Sequence, residues 1–155
     1  MSTQDLQWLI VRKSNSHLVK QKGLGRIFSR EPGNLTALHS YKHSGIVNDK
    51  AVGIKPNTSK RGIVLTTKKS KASPRAVRGA RTTATISGGP RRVAGAVSHT
   101  VTQNGYRPDL RKDAVARATA IVNAQGRRQR VPRARAPRGK AARQAAAAAP
   151  AAEEK

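Results

Sequence analysis

The clearest hydrophobic pattern in the chain has a helical period and lies between Tyr106 and Gly126. The run 106–109 interrupts the preceding segment, because proline lacks an N–H and pushes the residue before it out of the α region. Asp109 can then cap a helix. The apolar positions of that helix are Leu110, Ala114, Ala118, Ile121 and Val122. We expect Gly126 to end it.

Two further helices are predicted from shorter apolar patterns. The cluster Leu6–Val11, which Thr3 or Asp5 can cap, is expected to pack in the core with Trp8 as its anchor. The alternative for this cluster is a surface that faces another protein. Within Arg91–Gln103, three valines spaced by four predict a helix that partners the longer one described above.

Five short segments between the first two helices have the composition of β-strands. They are His17–Lys20, Arg26–Ser29, Leu38–His43, Ala51–Lys55 and Ile63–Lys68. Turn-forming residues separate them, and the connections are too short for parallel crossovers, so we expect antiparallel pairing. The predicted fold class is therefore α+β, a small antiparallel sheet with an N-terminal helix and two C-terminal helices.

One folded body and one tail are expected. The body covers residues 1–126 and includes a basic loop at 68–81, which has almost nothing to bury and should be mobile in free solution. Beyond 126 the hydrophobic period disappears, and residues 127–155 form a tail rich in Arg, Ala and Pro with a disordered-like composition. We expect the loop and the tail to bind nucleic acid as flexible arms.

The charge of the chain is strongly one-sided. Among its 155 residues, 32 are Lys or Arg and 7 are Asp or Glu, which gives a formal net charge of +25. Residues 50–107 contain 13 basic residues and no acid, and residues 114–152 contain 9 basic residues and no acid. Such runs are typical of nucleic-acid binding, in which Lys and Arg neutralise phosphates and release counterions. Membrane binding fits less well, because no segment approaches ~20 consecutive apolar residues.

The RNA-binding candidates are basic residues in the loop, in the tail and beside the predicted helices. They are Arg12, Lys13, Lys68, Lys69, Lys71, Arg75, Arg78, Arg81, Arg91, Arg92, Arg107, Arg111, Lys112, Arg127, Arg128, Arg130, Arg133 and Arg135. Without an RNA-recognition aromatic motif, contacts to phosphates, 2′-hydroxyls and RNA shape are expected. One specific hypothesis is that Arg107 and Arg111 clamp a single backbone segment with planar guanidinium groups. The alternative for Arg111 is pairing with a carboxylate or covering the apolar stripe.

Other kinds of site are not supported by the sequence. Without cysteine there is neither a disulfide nor a thiolate zinc site. His39 and His43 are four residues apart, but on a predicted strand that spacing forms no metal clamp. Helix capping and charge balance explain Asp109 and Asp113 without a catalytic carboxylate pair, and the glycines lack the pattern of nucleotide-binding loops. We therefore expect no enzyme activity, no metal, no cofactor and no small-molecule substrate.

Several segments, taken in order, resemble one family, the eukaryote-specific large-subunit ribosomal protein numbered twenty-eight. The matching pieces are Leu6-Gln7-Trp8, Val11-Arg12, Glu31-Pro32, Asn34-Leu35, Ser44-Gly45, Ala51–Pro56, Gly62–Leu65 and, most specific, Tyr106–Arg111. They span residues 5–125. The resemblance implies an α+β body docked on large-subunit ribosomal RNA beside neighbouring ribosomal proteins, with no enzyme activity and no cofactor. The chain departs from the family pattern at 82–90 and in its long tail.

The leading hypothesis is a structural protein of the large ribosomal subunit, located in the cytoplasmic ribosome after assembly in the nucleus or nucleolus. The N-terminal sequence lacks the regions of a signal peptide, which makes an intracellular location the expectation. The first alternative is a nucleolar ribosome-assembly factor, for which more acid than Glu153-Glu154 would be expected at the C-terminal end. The second is a chromatin protein like a linker histone, whose tail would favour lysine over arginine.

Overall fold

A computed structural model of the chain describes residues 3–73, 75–76, 78–128, 138–142 and 144, with the backbone alone at 127 and 128. The helices are α1 (Thr3–Val11), α2 (Pro90–Thr102) and α3 (Arg111–Arg128). The strands are β1 (Leu18–Val19), β2 (Phe28–Ser29), β3 (Val52–Pro56), β4 (Gly62–Lys68) and β5 (Arg81–Ser87). All strand pairs are antiparallel, so the predicted α+β class is confirmed.

The main sheet has the order β3-β4-β5, and one of its faces carries the core. Its register pairs Ile54 with Leu65 and Ile63 with Ile86. Because side chains alternate across a strand, these residues share one face of the sheet. α2 and α3 pack side by side over that face. The buried residues that the helices and the turn before α3 supply are Val93, Val97, Val101, Leu110, Ala114, Ala118 and Val122.

The two C-terminal helices begin and end close to the predicted positions. α2 has Pro90 in its first turn, where the missing N–H has no helical partner to lose. A short 3₁₀ turn at Pro108–Leu110 precedes α3. The expectation that Gly126 ends α3 is wrong, since the helix continues to Arg128. A Cβ at Gly126 would lie 3.1 Å from Nη2 of Arg61, so the glycine makes room for that guanidinium group against the helix.

The strand predicted at Leu38–His43 is wrong. Leu38 forms only an isolated bridge with Phe28, and the chain then enters a turn that hydrogen-bonds Ser44 N–H to the main-chain oxygen of Ser40. Asn48 fixes this turn, because its side-chain amide donates to the main-chain oxygens of Tyr41 and Ser44. Side-chain caps of this kind compete with strand pairing.

β5 was not predicted from the sequence. It pairs with β4 over its whole length, from Arg81 opposite Lys68 to Ser87 opposite Gly62. The basic loop at 68–81 is therefore the connection of a β4–β5 hairpin, with turn hydrogen bonds such as Ala80 N–H to Ala76 O. Ile86 alone packs against the core, so the strand lacks an apolar alternation that would reveal it.

Helix α1 forms as predicted, but its expected core position is wrong. None of its residues is buried, and Leu6, Leu9 and Ile10 are 55%, 49% and 69% exposed. Trp8 is half-buried, with its ring centroid 5.0 Å from that of His39 and 5.7 Å from that of Tyr41. α1 therefore lies on the loop that follows β2 and leaves the main core to α2 and α3.

Candidate nucleic-acid interface

The turn between α2 and α3 is held onto the sheet by Tyr106. Its hydroxyl lies 2.5 Å from the main-chain oxygen of Lys68, at the end of β4, and 3.2 Å from that of Ala51, just before β3. Partial burial raises the pKa of Tyr106, and the two carbonyl contacts act in the opposite direction. Tyr106 thus fastens the helix pair to two strands at once.

Arg107 extends this attachment to the loop before β3. Its Nη1 donates to the main-chain oxygen of Lys50 at 2.8 Å, and its Nη2 donates to that of Lys42 at 2.9 Å. Nε and Nη2 also donate to the Asp109 carboxylate at 2.9 and 2.8 Å. These side-chain hydrogen bonds to Arg107 lower the pKa of Asp109. The clamp hypothesis assigned the guanidinium group of Arg107 to RNA. In the described fold this group donates to protein acceptors, which gives Arg107 a structural role.

Arg111 and Lys112 are exposed at the start of α3. Nε of Arg111 donates to the Ser98 hydroxyl on α2 at 2.7 Å, so the carboxylate pairing considered as its alternative is not observed among the described residues. Both basic residues border an open groove of about 950 Å³ between α2 and α3, floored by small residues. Contact of Arg111 with RNA therefore stays a prediction, and so does the clamp, although Arg107 is engaged by protein acceptors in the described fold.

Lys68 is half-buried and engaged within the protein. Its Nζ donates to the main-chain oxygens of Asn48 at 2.8 Å and Ile46 at 3.1 Å. Desolvation lowers the pKa of Lys68, with a smaller contribution in the same direction from Arg81 and an opposing one from Asp49. Lys68 thus caps a turn, and its charge adds to the surface beside Arg81.

The remaining described candidates are exposed, but they do not converge on one point. Lys69, Lys71, Arg75 and Arg78 lie in the β4–β5 connection, and Arg81 begins β5. Arg91 and Arg92 follow the opposite end of β5, about 20 Å away at roughly 3.3 Å per strand residue. Arg12 and Lys13 follow α1. The candidates form an extended basic surface, as expected for contacts to a nucleic-acid backbone.

Some of the predicted site residues belong to the C-terminal tail. Arg130, Arg133 and Arg135 lie outside the described residues, and so does most of the tail 127–155. Arg127 and Arg128 are described only as backbone in the last turn of α3.

The described acids are occupied by protein partners. The carboxylate of Glu31 is buried and accepts hydrogen bonds from Asn34 at 3.1 Å and Ser44 at 2.9 Å. Asp113 lies 3.9 Å from Nδ1 of His43. Asp5 accepts from Tyr41 at 2.8 Å, and Asp49 accepts from Gln4. Within the described ranges, Arg107 is the one Lys or Arg side chain with a carboxylate partner.

Sequence reasoning missed two features of this surface. Arg117 is structural, since its guanidinium donates to the main-chain oxygens of Ile54 at 3.1 Å and Leu35 at 2.7 Å. Lys55, Thr66 and Thr83 share the face of the sheet that points away from the helices. The outer sheet face could have been predicted from the alternation along β3 and β4 together with the threonine-rich run before Ile86.

No group of three or more His, Cys, Asp or Glu residues close enough to hold a metal ion occurs among the described residues. None of the helices described has the length and hydropathy needed to span a bilayer.

Comparison with known proteins gives one consistent family. The family model described as the Ribosomal L28e protein family matches residues 6–124. This range includes most of α1, all five strands, α2 and most of α3. It ends just before the tail.

Curated relatives from distant eukaryotes agree with that match, and each is called large ribosomal subunit protein eL28. The relative from Schizosaccharomyces pombe is 38% identical over 125 residues, which are 79% of this chain and 92% of the relative. The relative from Caenorhabditis elegans is 33% identical over 127 residues, 81% of this chain and 93% of its own. The relative from Dictyostelium discoideum is 32% identical over 122 residues, 79% of this chain and 88% of its own.

Proposed function

This chain belongs to the Ribosomal L28e protein family, and from that premise we propose that it is a structural constituent of the large ribosomal subunit that binds ribosomal RNA. The names of its relatives support the ribosomal role. The role is non-enzymatic, as expected for a structural component of a particle. Its location is the cytoplasmic ribosome, after assembly in the nucleus or nucleolus.

One observation about charge carries the RNA-binding part of the proposal. Five acids fall in the described ranges, and four of them are partnered by uncharged groups or histidine. Between the described side chains, the ion pair of a carboxylate with Lys or Arg is that of Asp109 with Arg107. Self-repulsion of so large a positive charge opposes compaction. Phosphates of RNA supply the missing counter-charges, and their neutralisation releases condensed counterions.

The RNA contacts come from the exposed basic residues of the loop and the helix ends. Lys69, Lys71, Arg75, Arg78, Arg81, Arg91, Arg92, Arg111, Lys112, Arg12 and Lys13 carry them in the body, and the tail 127–155 adds its own arginines. Arg107 supports this surface from within the fold, and Lys68 contributes charge more than direct hydrogen bonds. Such contacts position the protein on the RNA backbone.

α1 provides the contact with a neighbouring ribosomal protein. Leu6, Leu9 and Ile10 have the spacing i, i+3, i+4, so they form one stripe on the helix, opposite the side that docks through Trp8. Residues 3–11 contain no Lys or Arg, which contrasts with the rest of the body. An uncharged apolar stripe gains nothing from phosphate but gains about 1.5–3 kcal/mol for each side chain fully buried against protein. Helix-in-groove docking uses this spacing of anchors.

The α1 contact is tested with a photoreactive residue placed at position 10 and, as a control, at position 60 in the β3–β4 turn. In purified large subunits, the product from position 10 should resist ribonuclease and have the mass of this chain plus a different protein. A product that ribonuclease removes, or one with the mass of two copies of this chain, would contradict the assignment.

The RNA-binding proposal is tested by the salt dependence of binding to large-subunit ribosomal RNA. Each phosphate contact contributes about 0.7–0.9 to the slope of log affinity against log salt concentration. Deletion of 127–155 should flatten that slope, and a tail of equal length with glutamine in place of each arginine should do the same. A slope that neither change alters would overturn the role of the tail.

A further inference from the structure

We propose that the outer face of the β3-β4-β5 sheet is a binding site for the sugar–phosphate backbone of RNA. The groups that bind it are the hydroxyls of Thr66 and Thr83, the ammonium group of Lys55 and the guanidinium group of Arg81. The inference rests on the proposed function, because it names a site for the RNA bound there. Of its residues, Arg81 is also a candidate from the charge pattern, whereas Lys55, Thr66 and Thr83 are not.

The strand register fixes which side chains occupy this face. Gly53 is opposite Thr66, and Thr66 is opposite Thr83 on the other side. Lys55 lies two residues along β3, and Arg81 lies two residues back along β5. Because alternate residues of a strand share a face, these side chains all point away from α2 and α3. No acid occurs on β3, β4 or β5.

Two loops form a wall along the β3 side of this face. A Cβ at Gly53 would lie 3.5 Å from Cα of Gly33, and a Cβ at Gly45 would lie 2.2 Å from the main-chain oxygen of Pro32. The second distance excludes a Cβ at position 45, whereas the first is an ordinary van der Waals contact, so the loops at 32–33 and 44–45 pack tightly against each other and lie against β3. The β4 and β5 part of the face stays open beside them.

The result is a cleft of about 260 Å³. Its lining includes Gly33, Gly53, Lys55, Thr66, Arg81 and Thr83. A volume of this size lies just below the roughly 300–1,000 Å³ of pockets that enclose whole small ligands. An open cleft of this kind suits one segment of a polymer that continues beyond both ends.

The two threonine hydroxyls of the cleft are not used by the fold. The threonines of the helices, such as Thr100 and Thr119, donate their hydroxyls to main-chain oxygens of the preceding turn. In the described part of the chain, the hydroxyls of Thr66 and Thr83 have no such partner. A hydroxyl can donate to a phosphate oxygen or accept from a ribose 2′-hydroxyl.

The charges of the face also favour an anionic ligand. Lys68 and Arg81 are directly opposite each other in the register, and both line the cleft. Like charges in this position destabilise a sheet. A phosphate between or beside them removes the repulsion. No aromatic side chain lines the cleft, so the ligand is backbone and not a stacked base.

The test uses the full chain and in-vitro-transcribed large-subunit ribosomal RNA. Thr66→Val with Thr83→Val removes both hydroxyls without a change of charge, and valine keeps the strand propensity of threonine. We expect this variant to lose about five- to tenfold in affinity with an unchanged salt slope. Lys55→Gln should lower the slope by about 0.7–0.9, the value of one phosphate contact.

A matched control separates the cleft from the general surface. Thr58→Val with Thr83 and Thr66 intact changes an exposed threonine in the β3–β4 turn, and it should leave affinity within twofold. If the paired threonine variant binds as tightly as wild type while the tail deletion still flattens the slope, the cleft is wrong and RNA binding stands. If the wild-type chain itself binds this RNA without salt dependence, the proposed function fails first.

Discussion

The guanidinium group of Arg107 holds the carboxylate of Asp109 at two points, through Nε at 2.9 Å and Nη2 at 2.8 Å. The same group also donates to two main-chain oxygens of the loop before β3. The Tyr106–Leu110 turn therefore works as a joint between the helix pair and the sheet. Arg107 therefore holds the fold together, whereas Arg111, one helical turn later, is exposed at the start of α3.

Arg107 and Arg111 should respond differently to the same loss of charge. Arg107→Gln removes several hydrogen bonds to partly buried acceptors, so we expect the free energy of unfolding to fall by on the order of 2 kcal/mol. Arg111→Gln should leave unfolding within about 0.5 kcal/mol of wild type and lower the salt slope of RNA binding by about 0.7–0.9. Urea denaturation and filter binding measure the two effects. The reverse pattern would restore Arg107 to the RNA interface.

Asp109 predicts a loss of stability in acid. Its pKa is lower in the folded chain than the ordinary value of 3.8, mainly because Arg107 hydrogen-bonds its ionised form. The stabilisation is therefore complete above that ordinary value and is lost as the pH falls through the folded pKa. Asp109→Ala should be less stable than wild type in urea at pH 7, and the difference should shrink toward pH 2. A difference that is the same at both pH values would contradict this role.

Trp8→Ala should destabilise the chain less than loss of a core aromatic. Complete burial would predict a cost of 3–5 kcal/mol, whereas half-burial against His39 and Tyr41 predicts roughly half of that. Leu9→Gln is the control, because Leu9 is 49% exposed and its replacement should leave the melting temperature nearly unchanged. Thermal unfolding followed by circular dichroism measures both. A cost of 5 kcal/mol for Trp8→Ala would return α1 to the core.

Two glycines should respond in opposite directions to alanine. Gly62 has φ of +144°, and a Cβ there would lie 2.3 Å from the main-chain oxygen of Ile86. Gly62→Ala should therefore destabilise the β4–β5 pair by more than about 1 kcal/mol. Gly95 is exposed within α2 and has no atom within 4 Å of its ideal Cβ, so Gly95→Ala should stabilise by about 0.5–1 kcal/mol. Urea denaturation of both variants against wild type tests the signs.

The sequence predicted the elements whose period agrees with their burial. Val93, Val97 and Val101 recur every four residues, and all three are buried on α2. Strand β5 was not predicted, because it lies at the edge of the sheet with its outer face open and packs only one apolar residue, Ile86, against the core. A threonine-rich composition with strong β propensity was its only local signal.

The sequence predicts that the candidate interface is basic, but it does not predict how its residues are arranged. The basic residues of the loop and the helix ends lie on the surface, as unneutralised charge requires. Composition could not tell Arg111 from Arg107, because the acceptors of Arg107 come from Lys42 and Lys50, about sixty positions away in the chain. The outer sheet face depends on the unpredicted strand β5, so the threonine-rich run could not be assigned to one face before the register was known.

The central claim is that this chain is a resident constituent of the large ribosomal subunit. The most direct measurement is sedimentation of the tagged full-length chain, expressed in eukaryotic cells, through a sucrose gradient. We expect the tag to be found with mature large subunits and polysomes and to stay there after a high-salt wash. A tag confined to pre-ribosomal particles, as for an assembly factor, or to chromatin, with none in polysomes, would contradict it.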